Sequence, residues 1–164
     1  MRNVVCDTSV LLHLAEAEAL PVLIRVGDIC GPRAVVTEMA QHTPSWRTEE
    51  PSWVHVQSLT PSLLQEATAW CQAGLLDSGE AEAIALARQI NADWFLTDDA
   101  AARLFAQSLR IEVHGSLGVV LWAAAVGELS QADAEATLER LAKSSLWISS
   151  KVLAEARAAL GKLY

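Results

Sequence analysis

The sequence lacks long apolar runs and any sign of a targeting segment. None of its apolar stretches approaches roughly 20 residues, the length of a membrane-spanning helix. The first residues lead directly into a strand-like run, where a signal peptide would have a basic region followed by an apolar core. These absences predict a cytoplasmic protein that does not enter a membrane.

Cysteine is scarce and shows no pairing. The 3 cysteines lack CxxC spacing and lie in apolar surroundings, so neither a disulfide framework nor a zinc site is indicated. The 4 histidines also lack the paired spacing of a metal site, which favours packing or surface positions for them. These histidines are His13, His42, His55 and His114.

Positive charge is in short supply as well. The 12 Lys and Arg residues against 20 Asp and Glu residues give a formal net charge of -8. Such a chain lacks the broad basic surface that is typical of nucleic-acid-binding domains. Either the protein does not contact phosphates, or a cluster of carboxylates binds cations that contact them. The second interpretation predicts a divalent metal and a few local arginines.

Apolar residues make up 52% of the chain, and their spacing indicates helices that alternate with short strands. The strand-like runs are Arg2–Cys6, Ile29–Cys30, Trp53–Gln57, Trp94–Thr97 and Ile111–His114. Strands separated by helical segments predict an α/β sandwich around a parallel sheet. The length and the absence of repeats or linkers favour one domain over residues 1–164.

One acidic residue stands out in the helical run that follows Leu76. Ser78 is the expected N-cap of this helix. At about 100° per residue, Glu80 falls within the apolar face, whereas Glu82 falls outside it and is expected to face water. A carboxylate in an apolar sector is costly unless positive charge meets it. The helix N-terminus supplies part of that charge, and a metal ion would supply more.

Three further acidic positions occupy comparable places in the predicted fold. Asp7 follows the first strand, Glu38 borders the apolar stripe of an early helix, and Asp98 or Asp99 follows a later strand. Ligand sites in open parallel sheets gather at the carboxyl ends of the strands. A single acid there is often only a turn residue, but a set of acids can hold one or two hard divalent ions. Such ions activate water and neutralise a phosphodiester.

Five motifs carry a resemblance to a known family. They read VVCDTSVLLHL, VVTEM, LDSGEAEAIALA, LTDDAAARLFA and VHGSLGVVLWAAAVGEL. The chain resembles the PIN-domain family of metal-dependent ribonucleases, which includes the toxins of VapC-type toxin–antitoxin modules. The resemblance implies a three-layer α/β sandwich with a central, mainly parallel sheet of short strands. It also implies an RNA substrate, a cognate antitoxin and a homodimer.

The resemblance also assigns roles to residues. It implies that five acids bind Mg²⁺ or Mn²⁺ and are catalytic: Asp7, Glu38, Glu80 and the pair Asp98 and Asp99. The family's T-x-D spelling favours Asp99 within the pair, and Asp98 stays open. Three further candidates for substrate binding are Thr8, Ser9 and Arg103.

Two of the side-chain assignments have alternatives at this stage. Arg103 contacts a phosphate or pairs with Asp99, which lies four residues earlier on the same helix. Trp46, in the polar stretch from Gln41 to Pro51 that is predicted to be a loop, is a candidate for stacking on a base or for a partner groove.

Other functions fit the sequence less well. A phosphatase of the haloacid dehalogenase kind needs a second aspartate two residues after the first, where this chain has Ser9. A receiver-type signalling domain needs a lysine near the sheet, and every lysine here lies beyond it. A non-catalytic interaction module with the same fold is the remaining alternative.

Overall fold

A five-stranded, all-parallel sheet forms the middle layer of the protein, and helices cover it to give a three-layer α/β sandwich. The computed structural model describes residues 1–164. The strands are β1 (Asn3–Cys6), β2 (Asp28–Gly31), β3 (Val54–Val56), β4 (Trp94–Leu96) and β5 (Val113–His114). Their order across the sheet is β3-β2-β1-β4-β5, and each neighbouring pair is parallel.

Ten helices connect and cover these strands. They are α1 (Thr8–Glu16), α2 (Pro21–Val26), α3 (Arg33–His42), α4 (Pro44–Thr48), α5 (Pro61–Gln72), α6 (Ser78–Gln89), α7 (Ala100–Ser108), α8 (Ser116–Ala125), α9 (Gln131–Ala142) and α10 (Ser150–Gly161). No helix combines the length and the apolar character needed to cross a bilayer.

The central strands read as continuous apolar runs because both of their faces are covered. Val4 and Val5 of β1, and Phe95 and Leu96 of β4, have no exposed surface. Buried parallel strands have this composition, since neither face of the sheet meets water. These strands form the centre of one cluster of 40 buried apolar residues.

The position of β1 determines where a ligand site can form. The chain runs from β1 to β2 and β3 on one side of the sheet, and then continues on the other side with β4 beside β1. Crevices open outside the carboxyl ends of strands at such a reversal point. Asp7 directly follows β1, and Thr97, Asp98 and Asp99 directly follow β4.

Two local predictions from the sequence are wrong. Asp77, and not Ser78, caps α6, and it does so as half of a capping box with Glu80. Trp46 is not in a loop, because α3 continues to His42 and the short helix α4 follows. The indole of Trp46 is only 4% exposed and packs edge-on against Trp53, with ring centroids 6.5 Å apart. Trp46 is therefore a core residue and is not available to stack on a base.

Candidate active site: an acidic cleft at the carboxyl end of the sheet

Asp7 lies at the centre of the candidate site and is only 2% exposed. It caps α1, and its Oδ1 accepts hydrogen bonds from Ser9 Oγ at 2.6 Å and from the Val10 amide at 3.3 Å. Its Oδ2 accepts a short hydrogen bond from Thr97 Oγ1. Burial raises the pKa of Asp7 to about 6, although the bonds from Ser9 and Thr97 oppose that rise. No basic group compensates this buried carboxylate.

Glu38 approaches the same cleft from α3. Its Oε2 accepts a hydrogen bond from Thr8 Oγ1 at 2.6 Å. Gly79, at the start of α6, lies directly against the Glu38 carboxylate, and a Cβ at that position would overlap it. The glycine therefore allows α6 to approach the carboxylate of α3 closely, which is one of the ordinary uses of glycine.

Glu80 is held at the N-terminus of α6 by its capping box. Its Oε2 accepts from the Asp77 amide at 3.1 Å, and its own amide donates to Asp77 Oδ1 at 2.8 Å. Desolvation raises the pKa of Glu80 to about 7; the charges of Asp77, Asp99 and Asp7 add to the rise, and the Asp77 amide opposes it. Glu80 thus experiences the charge of the other acids at this end of the sheet.

These residues enclose a cavity of about 180 Å³. Its lining consists entirely of polar residues and carries no positive charge: Asp7, Thr8, Ser9, Glu38, Asp77 and Glu80. We refer to this cavity as the acidic cleft. Oxygen donors of this kind match the preference of Mg²⁺ and Mn²⁺, so the chemistry of the lining fits a divalent ion. In this arrangement, however, no three acidic, His or Cys side chains come close enough to share one ion. Glu38 and Glu80 would have to exchange their hydrogen bonds for metal–oxygen bonds.

The two aspartates after β4 have different surroundings. The Asp98 carboxylate accepts from His13 Nδ1 at 2.7 Å, from the Ser116 amide at 2.7 Å and from Ser116 Oγ at 2.5 Å. It therefore connects β4 to α1 and α8. Asp99 caps α7 through the Ala102 amide at 2.8 Å, and its charge contributes to the raised pKa of Glu80. The charge of Asp98 also contributes to the raised pKa of Asp7, so both aspartates act on the acidic cleft, and they differ in that the Asp98 carboxylate already has three hydrogen-bond donors.

Comparison with known protein families agrees with this geometry. A family described as PIN domain matches residues 3–162, which is nearly the whole chain. The chain belongs to the PIN-domain family. PIN domains are generally nucleases and typically use divalent metals. No curated protein matches the chain.

The small polar residues of this PIN domain hold its acids in place. Thr8 and Ser9 lie in the wall of the acidic cleft, where their hydroxyl groups donate to Glu38 and Asp7. Ser9 Oγ also accepts from the Asp98 amide at 2.9 Å and so connects the ends of β1 and β4. These bonds give both residues a positioning role, and direct contact with a substrate stays a prediction.

Arg103 lies outside the acidic cleft of this PIN domain. Its Nη2 donates to the Thr97 carbonyl at 3.3 Å, and it forms no ion pair with Asp99. The predicted pairing along α7 is therefore absent. Arg103 lines a separate groove together with Asp98.

The prediction that Glu82 faces water is wrong. Glu82 is half-buried, and desolvation followed by the charge of Glu38 raises its pKa. The helical period defined a single buried face, but α6 packs against α3, α5, α7 and the sheet at once. Ala81 and Ala85, outside the predicted face, are also fully buried.

Sequence reasoning missed two other members of the site. Asp77 lines the acidic cleft, although its position suggested only a turn; its spacing from Glu80 is that of a capping box and could have revealed the pair. The contact between His13 and Asp98 joins residues 85 positions apart, and no local pattern announces it.

Proposed function

We propose that this PIN domain is a Mg²⁺- or Mn²⁺-dependent endoribonuclease that hydrolyses RNA phosphodiester bonds. The observation that carries the proposal is the acidic cleft, in which four carboxylates surround one cavity with no basic side chain among them. Membership of a family that generally consists of nucleases supports it.

In this proposal the metal-holding acids are Asp7, Glu38, Glu80 and Asp99. Ions bound by them would supply an activated water and neutralise charge on the phosphodiester. Ser9 and Thr97 fix the Asp7 carboxylate, and Thr8 orients Glu38. With a pKa near 7, Glu80 is partly protonated at neutral pH, and a cation bound beside it would favour the ionised form. Asp98 acts by positioning, because its oxygens are already bonded to His13 and Ser116.

The decisive experiment is cleavage of a mixed single-stranded RNA pool by purified protein. Cleavage should occur with Mg²⁺ or Mn²⁺ and stop with EDTA. Asp7→Asn and Glu80→Gln should each reduce the rate at least about 100-fold, since both remove an anion from the acidic cleft. Glu135→Gln, an exposed acid on α9, is the matched control and should cleave like the wild type.

We also propose that the protein is the toxin of a type II toxin–antitoxin module, acts in the cytoplasm, forms a homodimer and binds a cognate antitoxin. The motif resemblance supports this part of the proposal. Expression of the protein without its antitoxin should slow the growth of the host cells, and the Glu80→Gln substitution should restore normal growth. Light scattering after size-exclusion chromatography tests the dimer, and a strict monomer at high concentration would contradict it.

A non-catalytic interaction module with the PIN fold is the second candidate. One observation favours it, namely that Glu80 is engaged in a capping box and no three acids lie within reach of one ion. Absence of cleavage of any RNA pool with both ions would support this alternative.

A further inference from the structure

A second groove lies on the other side of the turn that follows β4. It encloses about 270 Å³ and is lined by apolar residues with Asp98, Arg103 and His114 at one end. Its characteristic residues are Arg103, Leu117, Leu146, Trp147, Ile148 and Val152. We refer to it as the Trp147 groove. Nothing in the acidic cleft accounts for it, since the two cavities share no lining residue.

Trp147 is the exposed aromatic residue of this groove. Its side chain is 84% exposed, whereas the other tryptophans of the chain are buried or half-buried. The flanking Leu146 and Ile148 pack against the core, so the extended connection between α9 and α10 turns the indole outward. Glu16 anchors this connection by accepting from the Ser145 amide at 2.6 Å and from Ser145 Oγ at 2.8 Å. The indole is therefore exposed, and the backbone on both sides of it is anchored.

The C-terminal segment that supplies part of the groove wall has a net positive charge. Residues 143–164 hold four basic residues and one acidic residue, while the preceding 142 residues hold eight basic and nineteen acidic residues. The groove wall from Leu146 to Val152 belongs to this basic segment. Positive charge on this segment attracts the phosphates of a nucleic acid. It does not attract a cation, which is the ligand that the acidic cleft suits.

Arg103 gives the groove a cation that forms no ion pair, although the Asp98 carboxylate lies nearby. Its guanidinium donates to the Thr97 carbonyl and forms no ion pair. The neighbouring Asp98 already accepts from His13 and Ser116. A planar guanidinium with free N–H groups is well suited to a phosphate.

The groove and the acidic cleft are neighbours. Asp98 lines the groove, and the charge of Asp99, the next residue, acts on Glu80 in the cleft. A single strand held in the groove would therefore continue past the turn of residues 97–99 toward the acids.

We propose that the Trp147 groove binds one nucleotide of a single-stranded RNA next to the scissile bond, with the base stacked on the indole and a phosphate on Arg103. An exposed indole on an anchored backbone segment, in one groove with an arginine that forms no ion pair, is the combination that single-strand-binding surfaces use. The identity of the ligand as RNA substrate rests on the proposed ribonuclease function, but the binding itself does not require cleavage.

The test measures binding of a labelled, mixed-sequence RNA 10-mer in EDTA, so that cleavage plays no part. Trp147→Ala should weaken binding about tenfold, as loss of one stacked base does. Trp147→Phe should restore most of the affinity while removing the RNA-induced quenching of indole fluorescence. Arg103→Ala should weaken binding and lower the salt dependence by about one phosphate contact. Leu104→Ala removes a 69% exposed side chain that lies outside the groove, and it should bind like the wild type.

Cleavage by the same variants separates the two proposals. With metal present and the RNA concentration varied from below to above KM, Trp147→Ala should raise KM and leave kcat within about threefold, whereas Glu80→Gln should lose kcat. If Trp147→Ala and Arg103→Ala both bind RNA like the wild type, the groove proposal is overturned and the nuclease proposal is unaffected. This is the result expected of a groove that binds a protein segment. Binding that depends on Trp147 without any cleavage would instead overturn the nuclease. Absence of RNA binding by the wild type would overturn the groove proposal.

Discussion

Two adjacent carboxylates at the end of this sheet, those of Asp98 and Asp99, have different numbers of hydrogen-bond donors around them. The Asp98 carboxylate has donors from His13 and Ser116, so its charge is solvated by the protein. Asp99 has one amide at its carboxylate and lies near other acids. The two adjacent aspartates therefore differ in their donors, and we infer that Asp99 is the one more available to a cation.

We expect Asp98→Asn and Asp99→Asn to fail in different assays. The first substitution places an amide group among hydrogen-bond donors, so Asp98→Asn should lower the free energy of unfolding by about 1–3 kcal/mol. Asparagine caps a helix as well as aspartate does, so Asp99→Asn should keep the stability of α7 and lose metal affinity. Urea unfolding and metal-induced melting shifts measure the two effects. A stable Asp98→Asn protein that no longer responds to metal would reverse the assignment.

Glu80 and Glu82 provide a second comparison at this scale. Glu80→Gln keeps the shape of the capping box but removes repulsion from Asp77, Asp99 and Asp7, so the metal-free protein should be as stable as the wild type or more stable. Glu82→Gln should lower metal affinity only a few-fold, through its proximity to Glu38. Calorimetric titration with Mn²⁺ measures both. Equal losses of metal affinity in the two variants would contradict the arrangement at the start of α6.

At the scale of elements, the site depends on how closely α6 approaches α3. Gly79 makes that approach possible, because its missing Cβ leaves space for the Glu38 carboxylate. This contact joins a helix backbone to the Glu38 carboxylate. A change in the backbone residue can therefore alter the chemistry of the cleft without touching any acid.

We expect Gly79→Ala to separate activity from stability. The added methyl group meets the end of a flexible side chain, so Glu38 is displaced while the helix gains up to about 1 kcal/mol in propensity. Cleavage and metal affinity should fall at least about tenfold with little change in melting temperature. Gly161→Ala, where nothing lies within 4 Å, is the matched control. Wild-type cleavage by Gly79→Ala would show that the position of Glu38 is not important.

Helices and strands differ in how much of their surroundings can be predicted from the sequence. Strand ends are local, so the positions of Asp7, Asp98 and Asp99 directly after strands followed from spacing. The surroundings of Glu82 and Trp46 did not, because burial depends on how many elements pack against a helix. Trp147 was missed for the same reason, since its exposure results from the anchoring of Leu146 and Ile148 to the core.

For the molecule as a whole, folding brings uncompensated acids together, and the free energy of that arrangement depends on pH and metal. The pKa of Asp7 rises to about 6 and that of Glu80 to about 7, both above their ordinary values near 4. Between pH 4 and 7 the folded protein therefore binds more protons than the unfolded chain. The stability that these groups contribute is present at low pH and is lost as the pH rises through the folded pKa values.

We therefore expect the melting temperature of the metal-free protein to fall between pH 5 and 8. Over this interval the loss should be of the order of 1 kcal/mol for Asp7, which is fully buried. Mg²⁺ or Mn²⁺ should reverse it, because the ion stabilises the ionised acids and binds more tightly as protons leave. The metal-induced rise in melting temperature should then grow with pH over the same interval. In the double variant Asp7→Asn and Glu80→Gln, both pH trends should flatten, while Glu135→Gln should keep them. A metal-free protein that becomes more stable from pH 5 to 8 would show that these carboxylates are compensated. The acidic cleft would then lack the uncompensated negative charge on which cation binding depends.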